Sequence, residues 1–116
     1  MGQAQGTKVP KSRNTLMEGA PHSREAFSLL AQTFQALGDT RRVQIVYALT
    51  KGEKSVGVLA ECLGVSQPAV SHHLRTLRNL RLVRTRKEGR NTYYALDDHH
   101  IDGLMREGLE HVQDLI

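Results

Sequence analysis

The stretch SVGVLAECLGVSQPAVSHHLRTLRNL, residues 55–80, constrains the fold more than any other part of this chain. Ala60, Gly64 and Val70 fall at the spacing of a helix-turn-helix, where a small residue lets two helices cross closely and glycine permits the left-handed turn between them. Leu59, Leu63 and Val65 fill the apolar positions around that turn. Ser66 is a good N-cap and Pro68 is tolerated in a first turn, so the second helix is expected from about Gln67 to Asn79. Its exposed face then carries Gln67, Ser71, His72, Arg75 and Arg78, residue types that hydrogen-bond base edges and phosphates. Ordinary helical hairpins also place Ala, Gly and Val at such spacings, so the residues that follow have to decide.

Those residues are LVRTRKEGRNTYYAL, which read as two short strands, roughly 82–86 and 91–96, joined by a glycine-containing turn from Lys87 to Arg90. A helix-turn-helix followed by a basic hairpin is a winged helix. From Arg75 to Arg90 there are seven Lys or Arg against one acid, Glu88, so the net charge of +4 understates a concentrated positive patch. A charge run is ordinarily a solvated face; this one coincides with the reading helix and the wing. The candidate DNA-binding set is therefore Ser66, Gln67, Ser71, His72, Arg75, Arg78, Arg86, Lys87 and Arg90, with double-stranded DNA as the partner.

Upstream, the pattern is helical from Arg24 through about Ala36, with Phe27, Leu30, Ala31, Phe34 and Leu37 on one stripe and Gly38 ending it. Asp39 offers an N-cap for a helix through Leu49, and Lys51 and Gly52 mark the next break. The first 22 residues, with Gly, Gln, Lys, Ser and Pro and few large apolar groups, are expected to form a flexible N-terminal arm, and residues 23–116 one domain. At 116 residues a core of its own is workable, and a dimer would help. No apolar run approaches the ~18 residues that cross a bilayer, and the N-terminus lacks the apolar stretch of a signal peptide, so the expected location is cytoplasmic with no membrane partner. The single cysteine, Cys62, excludes an intramolecular disulfide and a Cys-rich zinc finger; it reads as a small buried hydrophobe.

The C-terminal segment ALDDHHIDGLMREGLEHVQDLI places Asp98 and His100 at one end of a helix and His111 and Asp114 at the other. All four are metal-ligand types. The eleven residues from His100 to His111 return to the same helix face but about 16 Å along the axis, too far for one ion with ligands at about 2 Å. If two copies lie antiparallel across a two-fold axis, residues equally distant from a midpoint near Arg106 meet. Asp98 and His100 of one subunit then face His111 and Asp114 of the other, and Gly103 and Gly108 are symmetric about the same midpoint, allowing close approach. Ile101, Leu104, Leu109, Val112 and Leu115 supply a separate core stripe. Against this stands a solvated acidic face: residues 97–116 hold six acids and one base.

Over nearly all of residues 24–116 the chain resembles the ArsR/SmtB family of metal-sensing repressors. The resemblance is carried by FQALGDTRRVQIVYAL, then VSQPAVSHHLRTLRNLRLVRTRKEGRNTYYAL, then DDHHIDGLMREGLEHVQD. It implies a mainly α winged helix-turn-helix with a small β-hairpin, dimeric through the first and last helices. In the subgroup with this terminal-helix pattern, zinc binds between the paired helices and the loaded dimer leaves its operator, releasing metal efflux or sequestration genes from repression. Carried over by position, the metal ligands are Asp98, His100, His111 and Asp114, while His99 is not a ligand. Arsenic-sensing relatives carry a Cys-x-Cys pair where this chain has Ser55, Val56 and Gly57, and a second zinc site would fall at Ser55 and Val58, neither of which supplies the thiolate or carboxylate.

Two imidazoles and two carboxylates suit tetrahedral Zn(II), with Co(II) a close mimic, whereas Ni(II) usually seeks further ligands, for which His22 is the nearest candidate. The alternatives are a regulator responding to Ni(II) or Co(II) and a DNA binder with no metal response. A metallohydrolase is disfavoured, since four protein ligands leave no position for an activated water, and the chain is expected not to be an enzyme.

Overall fold

The computed structural model describes residues 23–116; the expected arm, residues 1–22, and His22 lie outside the described residues. Helix α1 runs Arg24–Leu37, α2 Thr40–Leu49, strand β1 Lys54–Ser55, α3 Val56–Leu63, α4 Gln67–Asn79, β2 Val83–Glu88, β3 Asn91–Leu96 and α5 His99–Gln113. Contacts divide the chain after Leu30, so the opening turns of α1 form one unit and Ala31–Ile116 the other. The second unit is a winged helix-turn-helix: α2, α3 and α4, then an antiparallel sheet in the order β1, β3, β2, then α5.

Local chemistry sets most boundaries. The Asp39 carboxylate accepts from the Arg42 backbone N–H at 3.1 Å and starts α2 as an N-cap. Ser55 Oγ accepts from Val58 N at 3.2 Å and Ser66 Oγ from Ala69 N at 3.3 Å, opening α3 and α4 in the same way. Gly64 ends α3 in the left-handed region (φ +70°), and the Val65 N–H reaches back to the Ala60 carbonyl, which reverses the chain within three residues. After α4 the same reversal falls on Arg81 at φ +57°, a conformation that strains a residue with a Cβ.

The core is built from the inward faces of these elements. Ile45 and Val46 from α2, Leu59 from α3, and Val70, Leu74 and Leu77 from α4 are wholly buried, with Leu49, Ala60, Leu82 and Val83 almost so. Burying each large side chain of this kind stabilises the fold by about 1.5–3 kcal/mol before the entropy of ordering it is counted. In α1, Ala36 is buried and Leu37 half-buried, whereas Phe27, Leu30, Ala31 and Phe34 of the expected stripe are exposed.

Several expectations are corrected. The hairpin is tighter than expected: Glu88 pairs with Asn91 across a two-residue turn, Gly89–Arg90, with Gly89 at φ +61° as a primed hairpin turn requires, so the strand reaches Glu88 and not 86. A third strand, β1, joins through Lys54 opposite Tyr94 and Ser55 opposite Tyr93. Helix α5 starts at His99, because Ala95 and Leu96 still pair in β3 and the Asp97 N–H donates to the Leu82 carbonyl. Its inward residue is Met105, with Ile101 and Leu109 packed beside it, while Leu104 and Val112 are 40 % exposed and Leu115 more so. Cys62 is exposed, because Leu59, Ala60 and Leu63 take the inward side of α3 and leave position 62 on the outer one.

Candidate nucleic-acid interface and metal centre

On α4 the wholly buried Val70, Leu74 and Leu77 orient the helix, and what they leave outside is polar. Gln67, His72, Arg75 and Arg78 are exposed, as is Ser66 at the cap; Ser71 is half-buried on the flank. The successive histidines have opposite fates. His72 points outward, whereas His73 is half-buried and its Nδ1 lies 3.3 Å from Arg42 Nη1. Arg42 also donates from Nε to the Ala36 carbonyl at 2.7 Å, so this contact joins the end of α1, the start of α2 and the middle of α4. Asn79 is a further exposed polar residue of α4 that the sequence reading does not include; its helical phase matches that of His72 and Arg75.

The wing divides the predicted cations. Alternate residues of β2 point to opposite faces, so Arg84, Arg86 and Glu88 share one face, and Thr85 and Lys87 the other. Lys87 and Arg90 are exposed, Arg90 in the turn. Arg86 is engaged within the chain: Nη2 lies 2.6 Å from Glu53 Oε1, Nε 3.2 Å from Glu53 Oε2, Nη1 3.1 Å from Glu88 Oε2, and its guanidinium sits 4.9 Å from the Tyr93 ring centroid. The Arg86 hydrogen bonds hold the Glu53 carboxyl below its usual range, outweighing the partial loss of water around it. Arg84 donates to the Leu96 and Asp97 carbonyls, fixing the exit from β3.

At the other end of the molecule α5 carries the four predicted metal donors. Asp98 is its N-cap, and Oδ1 accepts from the His100 backbone N–H at 2.8 Å. The same oxygen lies 3.3 Å from His100 Nδ1. Partial desolvation pushes the Asp98 carboxyl up, but the N–H groups of His100 and Ile101 and the His100 ring together prevail and hold it below its usual value. His111 lies in the last turn, Asp114 is the C-cap, and both are exposed. Among the described residues no three His, Cys, Asp or Glu side chains converge on one point.

Of the four predicted donors, Asp98 Oδ1 and His100 Nδ1 are the two that approach each other within the chain, 3.3 Å apart. His99 stacks its ring on that of His100, with centroids 4.2 Å apart. Arg106, the base of this acidic segment, pairs with Asp102 at 3.1 Å and leaves Asp98 and Asp114 to other partners. Between the donor pairs Leu104 is exposed beside the charged Arg106, Glu107 and Glu110, and a Cβ built on Gly103 or Gly108 would meet no atom within 4 Å; Val112 and Leu115 are exposed next to the second pair.

Comparison with known proteins adds the family. The model of the family described as bacterial regulatory protein, arsR family, matches residues 39–85, from the α2 cap to the middle of β2. A transcriptional repressor SmtB homolog of Synechocystis is 46% identical over 85 residues, which are 73% of this chain and 64% of that protein, so the chain spans less than two thirds of it. The HTH-type transcriptional regulator NmtR of Mycobacterium tuberculosis is 42% identical over 96 residues, 83% of this chain and 80% of that protein. Among solved structures, a homodimeric winged helix-turn-helix DNA-binding domain from Mycobacterium bovis superposes with a TM-score of 0.72 at 28% identity, covering 82% of this chain and 90% of that one. No helix among the described residues is long and apolar enough to cross a membrane.

Proposed function

The chain belongs to the ArsR family of bacterial regulatory proteins, and from that premise we propose that it is a metal-responsive transcriptional repressor whose dimer releases operator DNA when Zn(II) is held between paired α5 helices. The observation that carries this reading is the layout of α5. Asp98 and His100 stand together at its first turn and His111 and Asp114 at its last, with exposed Leu104 and Glu107 and open space at Gly103 and Gly108 between them, and exposed Val112 and Leu115 flanking the second pair. A second copy laid antiparallel covers that surface and completes two four-donor sites at once.

The residues divide the work. Arg75, Arg78, Lys87 and Arg90 neutralise phosphates, Gln67 and His72 face base edges, and the two α4 helices of a dimer enter major-groove half-sites about one helical turn apart. His100 and His111 donate only as neutral imidazoles, so acid weakens the metal site and restores DNA binding. With both donor sets drawn together, the α5 pair is held at one crossing and the α4 helices are carried away from the half-site spacing. The coupling is reciprocal, so operator DNA weakens zinc affinity by the same factor.

The test is an operator titration with and without Zn(II), repeated on His111→Ala. Zinc is expected to lower the affinity of the unaltered protein roughly 5- to 150-fold, the usual range of such couplings, and to leave His111→Ala on the DNA. Release of the variant by zinc overturns the assigned site; an unaltered protein indifferent to Zn(II), Co(II) and Ni(II) overturns the sensor reading.

A further inference from the structure

We propose that Arg86 is not a DNA contact but a positioning residue, clamped by Glu53 so that the wing keeps a fixed place against the start of the reading motif. The proposal rests on the reading of the chain as a DNA-binding regulator. Its ground is a row of groups crossing the sheet. Arg86 on β2 stands opposite Tyr93 on β3, which stands opposite Ser55 on β1, and Ser55 is also the residue that caps α3. The guanidinium passes over the Tyr93 ring and meets Glu53, at the entrance to β1, through two nitrogens at 2.6 and 3.2 Å.

This two-pronged pairing ties the outer strand of the wing to the segment that opens α3, across the strand between them. It also consumes the cation. Two carboxylates, from Glu53 and Glu88, lie within 3.1 Å of Arg86, so the group carries no net charge surplus toward a phosphate. Lys87, on the opposite face of β2, and Arg90, in the turn, have no carboxylate partner among the described salt bridges and remain the wing's phosphate ligands. A single exposed ion pair is weak, and the expected effects are correspondingly modest.

Charge and position predict opposite signs for Glu53→Gln. Removing a negative charge beside DNA favours binding; removing the clamp opposes it. We expect about a three- to fivefold loss of operator affinity for Glu53→Gln and for Arg86→Gln, with the slope of log affinity against log salt unchanged in both. Lys87→Gln serves as the contrast and should flatten that slope by about 0.9 for each subunit on the DNA. In the DNA-free protein, the amides of β2 and β3 should exchange about three- to fivefold faster in Glu53→Gln while those of α2 and α4 keep their rates, a local effect that general destabilisation would not give. Tighter binding with a steeper slope in Glu53→Gln, a flatter slope in Arg86→Gln, or unchanged wing exchange overturns the proposal. An unaltered protein with no salt-dependent affinity for DNA sinks the regulator reading instead, and the exchange rates still decide the clamp.

Discussion

The reading motif and the terminal helix are both helical, yet one is finished within the chain and the other is not. In α3 and α4 both N-caps are satisfied, the turn closes on Gly64, and Leu59, Val70, Leu74 and Leu77 are wholly buried. In α5 the inward contact is Met105, while Leu104, Val112 and Leu115 lie outside beside the proposed metal ligands, which find no third donor among the described residues. A surface that recognises DNA can be complete in one subunit, because its partner is external. The proposed sensing surface, which reports on the distance between two subunits, has reason to be incomplete in each.

Leu74→Ala should give the largest effect on this contrast. Emptying a wholly buried site costs about 2–5 kcal/mol, read as a lower urea midpoint, and because the motif is complete in one chain the loss should be similar at low and high protein concentration. A loss that disappears at high concentration would break the contrast. Leu104→Asp acts on the other side: a carboxylate near the proposed α5 two-fold should raise the dimer dissociation constant at least roughly tenfold by sedimentation, with helix content unchanged. An unchanged oligomeric state would show that this face of α5 is not the shared one.

The smallest effect is a pH dependence at the α2 cap. The Arg42 backbone N–H, with the Arg42 and His73 charges, holds the Asp39 carboxyl below its usual value of 3.8, outweighing partial desolvation. A depressed carboxylate contributes stability that is fully present above its unfolded value and is lost as pH falls through the folded one. Asp39→Ala should therefore lower the urea midpoint slightly at neutral pH, and the gap to the unaltered protein should close below about pH 3.8. A gap that persists there would assign the role of Asp39 to something other than its charge.

How far the sequence could be read depended on the range of the interaction involved. The Asp39 and Ser66 caps, the Gly64 turn and the span of α4 were legible because each is settled within four residues along the chain. The Cys62 and α5 expectations failed for a shared reason. Periodicity shows that a helix has an apolar stripe, but the side that meets the core depends on neighbours brought from elsewhere, here placing Met105 inward and Leu104 outward. Strand β1 was not legible because two residues carry no alternation to detect; their pairing comes from Tyr93 and Tyr94, some forty positions away.

The basic wing shows the same division within one side chain. The sequence by itself determined that cations concentrate between Arg75 and Arg90 and that adjacent residues of a strand face opposite ways. Only the tertiary structure decided that Glu53, 33 residues before Arg86, would reach it and leave Lys87 and Arg90 as the free charges. The composition of a patch is written along the chain, whereas its neutralisation depends on distances through space, which exist only once the sheet has formed.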